Sequence, residues 1–303
     1  MSKRPPLAKV NFYFILAAHL LAVTAVLYMC LVQFSWWSLG LGLIYGFFCS
    51  LSITAGYHRL FSHPTHKAHG ILRALYLFFG AASIQNSALK WSSDHRTHHG
   101  KVDKEEDPYN IKKGFWWAHI GWVVTQAPEP DFANVPDLQK DKMVMWQHRN
   151  YLLLVVLSVG VLPFCLGLLW GDPFGALLIT GFLRLVFQWH STFSINSVAH
   201  VLGRRPYSLA NSARDSFITA LVTMGEGYHN FHHRFANDYR NGVRWFHYDP
   251  TKWWVWTMSK VRLTSDLKRV PKRAIQNARE RVKAELLARK MEKAATTAAG
   301  RSK

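Results

Sequence analysis

Asn11 to Phe34 read NFYFILAAHLLAVTAVLYMCLVQF, with no Lys, Arg, Asp or Glu and one histidine, His19. About 20 such residues suffice to cross the hydrocarbon core of a bilayer, so this run constrains the chain more than any other feature. A second uncharged run, residues 38–57, follows a short turn whose Trp36 and Trp37 suit a membrane interface. Residues 151–170 and 174–196 repeat the arrangement around the turn Gly171, Asp172, Pro173. The expectation is four transmembrane helices in two hairpins. A cleaved signal peptide does not suit the first run, which is too long, lacks a small-residue cleavage site and leads at once into a second span. The mean hydropathy of −0.04 conceals all this by averaging apolar blocks with basic ones.

Charge orients the hairpins. The chain carries 37 Lys and Arg against 18 Asp and Glu, a net charge of +19. Both short turns lack Lys and Arg, whereas Lys3, Arg4 and Lys9, the connection from Tyr57 to Asn150 and the C-terminal part are basic. Positive segments stay cytosolic, which puts both termini and the long connection on that side; the plain termini make a bacterial inner membrane the expected host. Ile71 to Leu89 is also mostly apolar, but it contains Arg73, Gln85 and Asn86, and a crossing there would divide the histidines between two faces of the membrane. It is expected to be embedded or interfacial. Residues 259–303 form a basic tail with fourteen Lys and Arg against four acidic residues. Its AIQNARERVKAELLARKMEKAA stretch is helix-forming with a narrow apolar stripe, followed by a small-residue end expected to fray. Beside four spans, attraction to anionic lipid is preferred to nucleic-acid binding.

The chemistry lies in the histidines. Cys30, Cys49 and Cys165 include no CxxC pair, which excludes a disulfide framework and a thiolate zinc site. Of sixteen histidines, nine are grouped: His58 and His63; His95, His98 and His99 as HxxHH; His229, His232 and His233 as a second HxxHH; and His200, four residues after Asn196. Positions i, i+3 and i+4 share one helix face, so each triplet aims three imidazoles together, and two triplets predict a shared polynuclear centre. His58 and His63 are about 140° apart on an ideal helix and are expected to converge only if the helix ends between them, which Pro64 favours. All nine fall on the cytosolic side of the topology read from charge. No HExxH of metalloprotease type occurs, and a haem needs only one or two axial histidines. Eight or nine neutral nitrogen ligands fit two metal ions with positions left open, hence redox chemistry on oxygen. The remaining seven histidines, His19, His66, His69, His119, His148, His190 and His247, carry no pattern.

The stretches ITAGYHRLFSH (53–63), WSSDHRTHHG (91–100), NSVAHVLGRRPY (196–207) and GEGYHNFHHRFANDYR (225–240) resemble the membrane-bound fatty acyl desaturases, specifically the acyl-CoA delta-9 branch. The resemblance covers roughly residues 11–254. It implies an all-α integral membrane fold: four transmembrane helices under a cytosolic helical cap (58–150 and 197–258) that holds a histidine-rich di-metal site. Residues 1–258 then make the membrane domain and 259–303 the tail. It implies two irons held by His58, His63, His95, His98, His99, His200, His229, His232 and His233, with Asn196 acting through a water. It implies O2 as co-substrate and removal of two hydrogens from adjacent methylenes, leaving a cis double bond. Gln85, Trp91 and Thr192 would shape the bend of an acyl tunnel, and Asn11, Asn86, Asp94, Lys112 and Lys113 would contact the CoA of a fatty acyl thioester. Ser93 stands where the family has an arginine, and Phe193 where it has a tryptophan. An acyl chain on phospholipid or on acyl carrier protein therefore remains an alternative to acyl-CoA.

Other residues admit two readings. Tyr45 and Phe48 are either stops for the methyl end of the chain or lipid-facing aromatics. Arg184 inside the fourth run pairs or snorkels. Glu226 orients an imidazole or caps a turn, and Asp94, Asp215 and Asp238 share that ambiguity. The competing activity is a di-iron membrane hydroxylase for alkanes, sterols or carotenoids; a metal transporter would need ionisable groups along the spans. The 303 residues contain no HPGG-like haem motif, flavin or ferredoxin segment. The expected electron source is therefore a separate ferredoxin or cytochrome b5 type protein with its reductase, drawn to the basic cap.

Overall fold

The computed structural model describes residues 6–126 and 131–301; Lys3, Arg4 and Lys303, which entered the charge argument, lie outside them. The first helices are α1 (Lys9–Leu31), α2 (Trp36–Ser62), α3 (Gly70–Ala81), α4 (Ala88–Lys101) and α5 (Lys142–Arg149). They are followed by α6 (Tyr151–Leu168), α7 (residues 173–196), α8 (Val198–Val201), α9 (Phe217–Val222) and α10 (His229–Arg234). The chain closes with α11 (Pro250–Lys260) and α12 (Lys272–Arg301). Two-residue strands β1 (Lys67–Ala68) and β2 (Thr264–Ser265) pair antiparallel, Lys67 opposite Ser265.

Among the described residues, three helices are long and apolar enough to cross a membrane: α1, α2 and α6. Only 22% of the apolar window of α1 and 28% of that of α6 is buried, and Leu16, Leu20, Val23, Leu27, Leu152 and Val156 point outward. Such continuous apolar surface is shed by water and taken up by lipid. The fourth run is continuously helical in α7, but Arg184, Gln188 and His190 interrupt its apolarity. The helix bounds differ from the runs: α1 ends at Leu31 because Ser35 already caps α2, accepting from the Ser38 N–H, and α2 overshoots Tyr57 by five residues. Ile71 to Leu89 is not one segment. It splits into α3 and the start of α4, and α3 has 12 residues, about 18 Å, too short to cross.

The two hairpin turns are tied together. Asp172, 1% exposed, accepts from Tyr28 Oη (2.9 Å) and Ser38 Oγ (2.5 Å) and caps α7 by accepting from the Gly175 N–H. A buried carboxylate is tolerable only with such a full set of donors. At the other end, Ile53, Tyr57, Phe61, Leu72, Tyr76, Leu77, Leu89, Val144 and Val255 form one core under the cap. The close approach of α3 to α2 requires Gly80, where an added Cβ would run into the Tyr57 ring. The tail is more ordered than expected: Ile275, Ala278 and Val282 dock on the cap, and the helix continues through the small-residue end to Arg301. Arg184 pairs rather than snorkels, donating to the Thr180 and Ala82 carbonyls and to Gln188 Oε1. Tyr45 faces inward, its hydroxyl donating to the Ser158 carbonyl, so it is not a lipid-facing aromatic; Phe48 stacks on Phe79.

Candidate metal centre

Residues 52–62 of α2 are wound as a π-helix, in which the N–H of His63 reaches the carbonyl of His58 at 3.2 Å. The i to i+5 repeat brings side chains five apart onto one face, and the two imidazole centroids are 5.1 Å apart. The helix does stop at Ser62, before Pro64, yet it does not end early enough to bend His63 back toward His58. The winding is what makes the pair converge. Arg96 locks this helix end from α4, donating to the Phe61 and Ser62 carbonyls and to Asp137.

The triplets behave differently from the expectation that each aims at a single point. His95 and His99, one turn apart on α4, join His58, His63 and His232 in one group. His98 joins His200, His229 and His233 in the other. Each HxxHH therefore gives its i, i+4 pair to one group and its i+3 member to the other, and α4 and α10 exchange roles. Within the first group His63 Nε2 lies 2.8 Å from His95 Nε2, and His232 Nε2 lies 2.9 Å from both His58 Nε2 and His99 Nε2. In the second, His233 Nε2 is 3.0 Å from His229 Nε2 and 3.2 Å from His98 Nε2.

These nitrogens are lone-pair donors. Burial, then the neighbouring imidazoles, pushes the pKa of His63, His95, His99, His200, His229, His232 and His233 well below the usual histidine range. Three rings are fixed from behind: His58 Nδ1 lies 2.9 Å from Glu226, His98 Nδ1 2.8 Å from Asp107 and His200 Nδ1 2.7 Å from Ser212 Oγ. A partner at Nδ1 takes that N–H and leaves Nε2 bare toward the centre. His200 Nε2 is buried with no hydrogen-bond partner. Converging lone pairs repel unless a cation sits among them, so both groups fit a metal ion.

Glu226 is more than a turn cap. It is 1% exposed, accepts from Arg59 Nη2 at 2.7 Å and from Asn241 at 2.6 Å, and Arg59 also bonds Asp249. Burial pushes the Glu226 carboxyl up, but Arg59 and His58 outweigh it and hold the group down at about 2. Asp107 and Arg59, which sequence reasoning passed over, thus support the imidazoles; nothing in their local spacing signals it. Asp215 accepts from the Phe231 N–H on α10, and burial raises it to about 7; Asp238 accepts from Arg240 and the Val270 N–H.

The residues that the resemblance assigns to the substrate differ in exposure. Asn11, Asn86, Lys112 and Lys113 are exposed; Asp94, Gln85, Trp91 and Thr192 are half-buried. Asn11 Nδ2 donates to the Val123 carbonyl, Lys113 pairs with Glu105 at 3.2 Å, and Asp94 pairs with Lys90 while burial keeps its carboxyl above the ordinary range. Gln85 joins the three bend candidates: its amide donates to Thr192 Oγ1 at 3.0 Å and its oxygen accepts from Trp91 Nε1 at 3.4 Å. Trp91 stacks on His95, centroids 4.9 Å apart. Asn196 is half-buried at the end of α7, and Ser93 bonds Asn134.

Three histidines without a pattern also meet. His190 sits 3.1 Å from His19 and 3.0 Å from His119, and His119 Nδ1 lies 2.9 Å from Ser197 Oγ, beside Asn196. This chain joins α1, the cap and α7.

A family model described as fatty acid desaturase matches residues 34–263. A Schizosaccharomyces pombe protein named probable acyl-CoA desaturase is 48% identical over 238 residues, 77% of this chain and 50% of that protein. Acyl-CoA desaturase 1 of Saccharomyces cerevisiae is 44% identical over 232 residues, 75% and 45% of the two chains. Stearoyl-CoA desaturase 4 of Mus musculus is 35% identical over 242 residues, 78% and 69%. The chain spans about half the length of the first two relatives.

Proposed function

Because this chain belongs to the fatty acid desaturase family, we propose that it is an O2-dependent oxidoreductase that introduces a cis double bond, at the delta-9 position, into a saturated fatty acyl chain carried as acyl-CoA. The observation that carries the reading is the division of nine histidines into a group of five and a group of four, against which Trp91 of the Trp91–Gln85–Thr192 network is stacked. Two irons are the proposed occupants, held by those nine histidines with Asn196 acting through a water. Bound there, they would supply the O2 chemistry needed to remove two hydrogens from neighbouring methylenes. Two further electrons and two protons complete the reduction of O2 to two waters, so a carrier of ferredoxin or cytochrome b5 type is required.

The rest is positioning. Gln85 and Thr192 hold the bend, and Trp91, stacked on His95, sets the height of the chain above the first group. Exposed Lys112 and Lys113 offer cations to the CoA phosphates, while Asn11 and Asn86 line the rim. In this reading α7 is the fourth span, both termini and the cap face the cytosol, and the host membrane read from the sequence is a bacterial inner membrane, to which the named eukaryotic relatives add nothing.

The test is gas chromatography with mass spectrometry of total fatty acids from a desaturase-deficient host expressing the chain. A new cis monounsaturated acid is expected and locates the double bond. A hydroxylated product instead moves the assignment to the hydroxylase.

A further inference from the structure

The docked half of α12 covers the side of the cap where α10 carries His229, His232 and His233. Between these histidines stands Phe231, fully buried, whose ring meets Tyr207 with centroids 5.2 Å apart. Tyr207 in turn accepts a hydrogen bond from Arg279 Nη2 at 2.7 Å and lies beneath that guanidinium. Tyr207 also lines an open recess of about 330 Å³, together with Ser208, Arg234, Arg281, Glu285 and Arg289. Arg234, Arg281 and Arg289 are exposed, and a single carboxylate, Glu285, answers them, already paired with Arg289.

We propose that this recess is where the acidic electron carrier docks, with its carboxylates on Arg234, Arg281 and Arg289 and its redox group toward Tyr207. The proposal rests on the desaturase reading, which requires reduction by a carrier protein. Each encounter oxidises one reduced iron carrier by one electron, and two encounters with two solvent protons balance one double bond and two waters. Two observations favour a protein over a lipid surface. The apolar cluster under the recess consists of Tyr207, Phe231, Ile275, Ala278, Phe235, Val243 and Val270, with no residue of α1, α2, α6 or α7. The recess also reaches the histidine helix directly, since Arg234 in its lining is the last residue of α10 and Tyr207 meets the Phe231 ring of the same helix, whereas a lipid site has no reason to lie there. Charge complementarity of this kind governs the encounter rate and its dependence on salt.

The experiment uses the full chain in phosphatidylcholine nanodiscs, titrated with a soluble cytochrome b5 domain and with a plant-type ferredoxin. Arg281→Glu combined with Arg289→Glu is compared with wild type and with Lys260→Glu, a basic residue away from the recess. The expected result is at least tenfold weaker binding of the preferred carrier and a flatter salt dependence. KM for that carrier rises by the same factor, KM for acyl-CoA stays fixed, metal content is unchanged, and Lys260→Glu behaves as wild type. Arg281→Glu alone should give an intermediate loss. Unchanged carrier binding in the double variant, binding of neither carrier by wild type, or lost binding to phosphatidylserine vesicles with carrier binding intact overturns the proposal. Dithionite-driven turnover separates the two readings: product formed without a carrier keeps the desaturase whatever happens to docking, and no product from wild type overturns the desaturase reading itself.

Discussion

Glu226 shows how much one carboxylate does at the centre. It receives Arg59, His58 and Asn241 at once in a site closed to water. Glu226→Gln leaves Arg59 with Asp249 as its remaining carboxylate and leaves one amide oxygen for the Arg59 and His58 donors that two carboxylate oxygens now receive, so a stability loss on the order of 3 kcal/mol is expected. A 10- to 100-fold loss of metal affinity should accompany it. Metal analysis of the purified variant and its thermal midpoint in detergent check both. His66 makes a second, independent prediction. Burial, then Arg59, lowers it to about 3, and it is 3% exposed. The folded form keeps it neutral while the unfolded chain protonates it below about pH 6.5, so the unfolded state binds the extra proton. Stability therefore falls as pH drops below 6.5, by about 1.4 kcal/mol per pH unit from this residue. His66→Gln should flatten the pH dependence of the thermal midpoint between pH 6.5 and 4 by that amount. At this scale the sequence spoke through residue type and spacing, which single out the nine grouped histidines. It was silent on His19, His119 and His190, because their meeting depends on residues up to 171 positions apart.

The π-winding of α2 is the element that sequence periodicity misread. An ideal helix puts His58 and His63 on different faces, and nothing in HRLFSH announces an i to i+5 register. The triplets were legible as helix faces but not as shared between two groups, since spacing gives direction without giving what stands opposite. Helix ends were legible in part: the turn Gly171, Asp172, Pro173 marks the start of α7, which Asp172 caps ahead of the proline, whereas the caps of α4 at Ser87 and of α11 at Asp249 went unread. Packing against the π-segment is tight enough to test. Gly80→Ala sets a methyl group against the Tyr57 ring, one residue before His58, and should destabilise the protein by about 1–3 kcal/mol. Gly70→Ala, on the same helix with open space around it, serves as the control. Thermal unfolding of the two variants in detergent makes the comparison.

For the whole molecule, the apolar runs made a membrane protein legible, and Asp172 supplies a reason for two hairpins to stand as one bundle. Four spans predict that cysteines introduced at Trp36 and Leu169 react with an impermeant maleimide from one side of the membrane and one at Lys104 from the other. Labelling of all three from one side would refute that topology. The docking of α12 was not legible, because its stripe of Ile275, Ala278 and Val282 is narrow enough to belong equally to a free surface helix. The interleaving of the two HxxHH motifs bears on how such a protein is matured. Neither nest of nitrogens can be completed by one helix, and whatever seats the first ion also sets the rotation of the helices that supply the second. If two ions fill these nests, as proposed, loading should proceed as a single event, with apoprotein and fully charged protein in coexistence and half-filled molecules scarce, so that starvation for metal lowers the number of charged molecules without degrading each one.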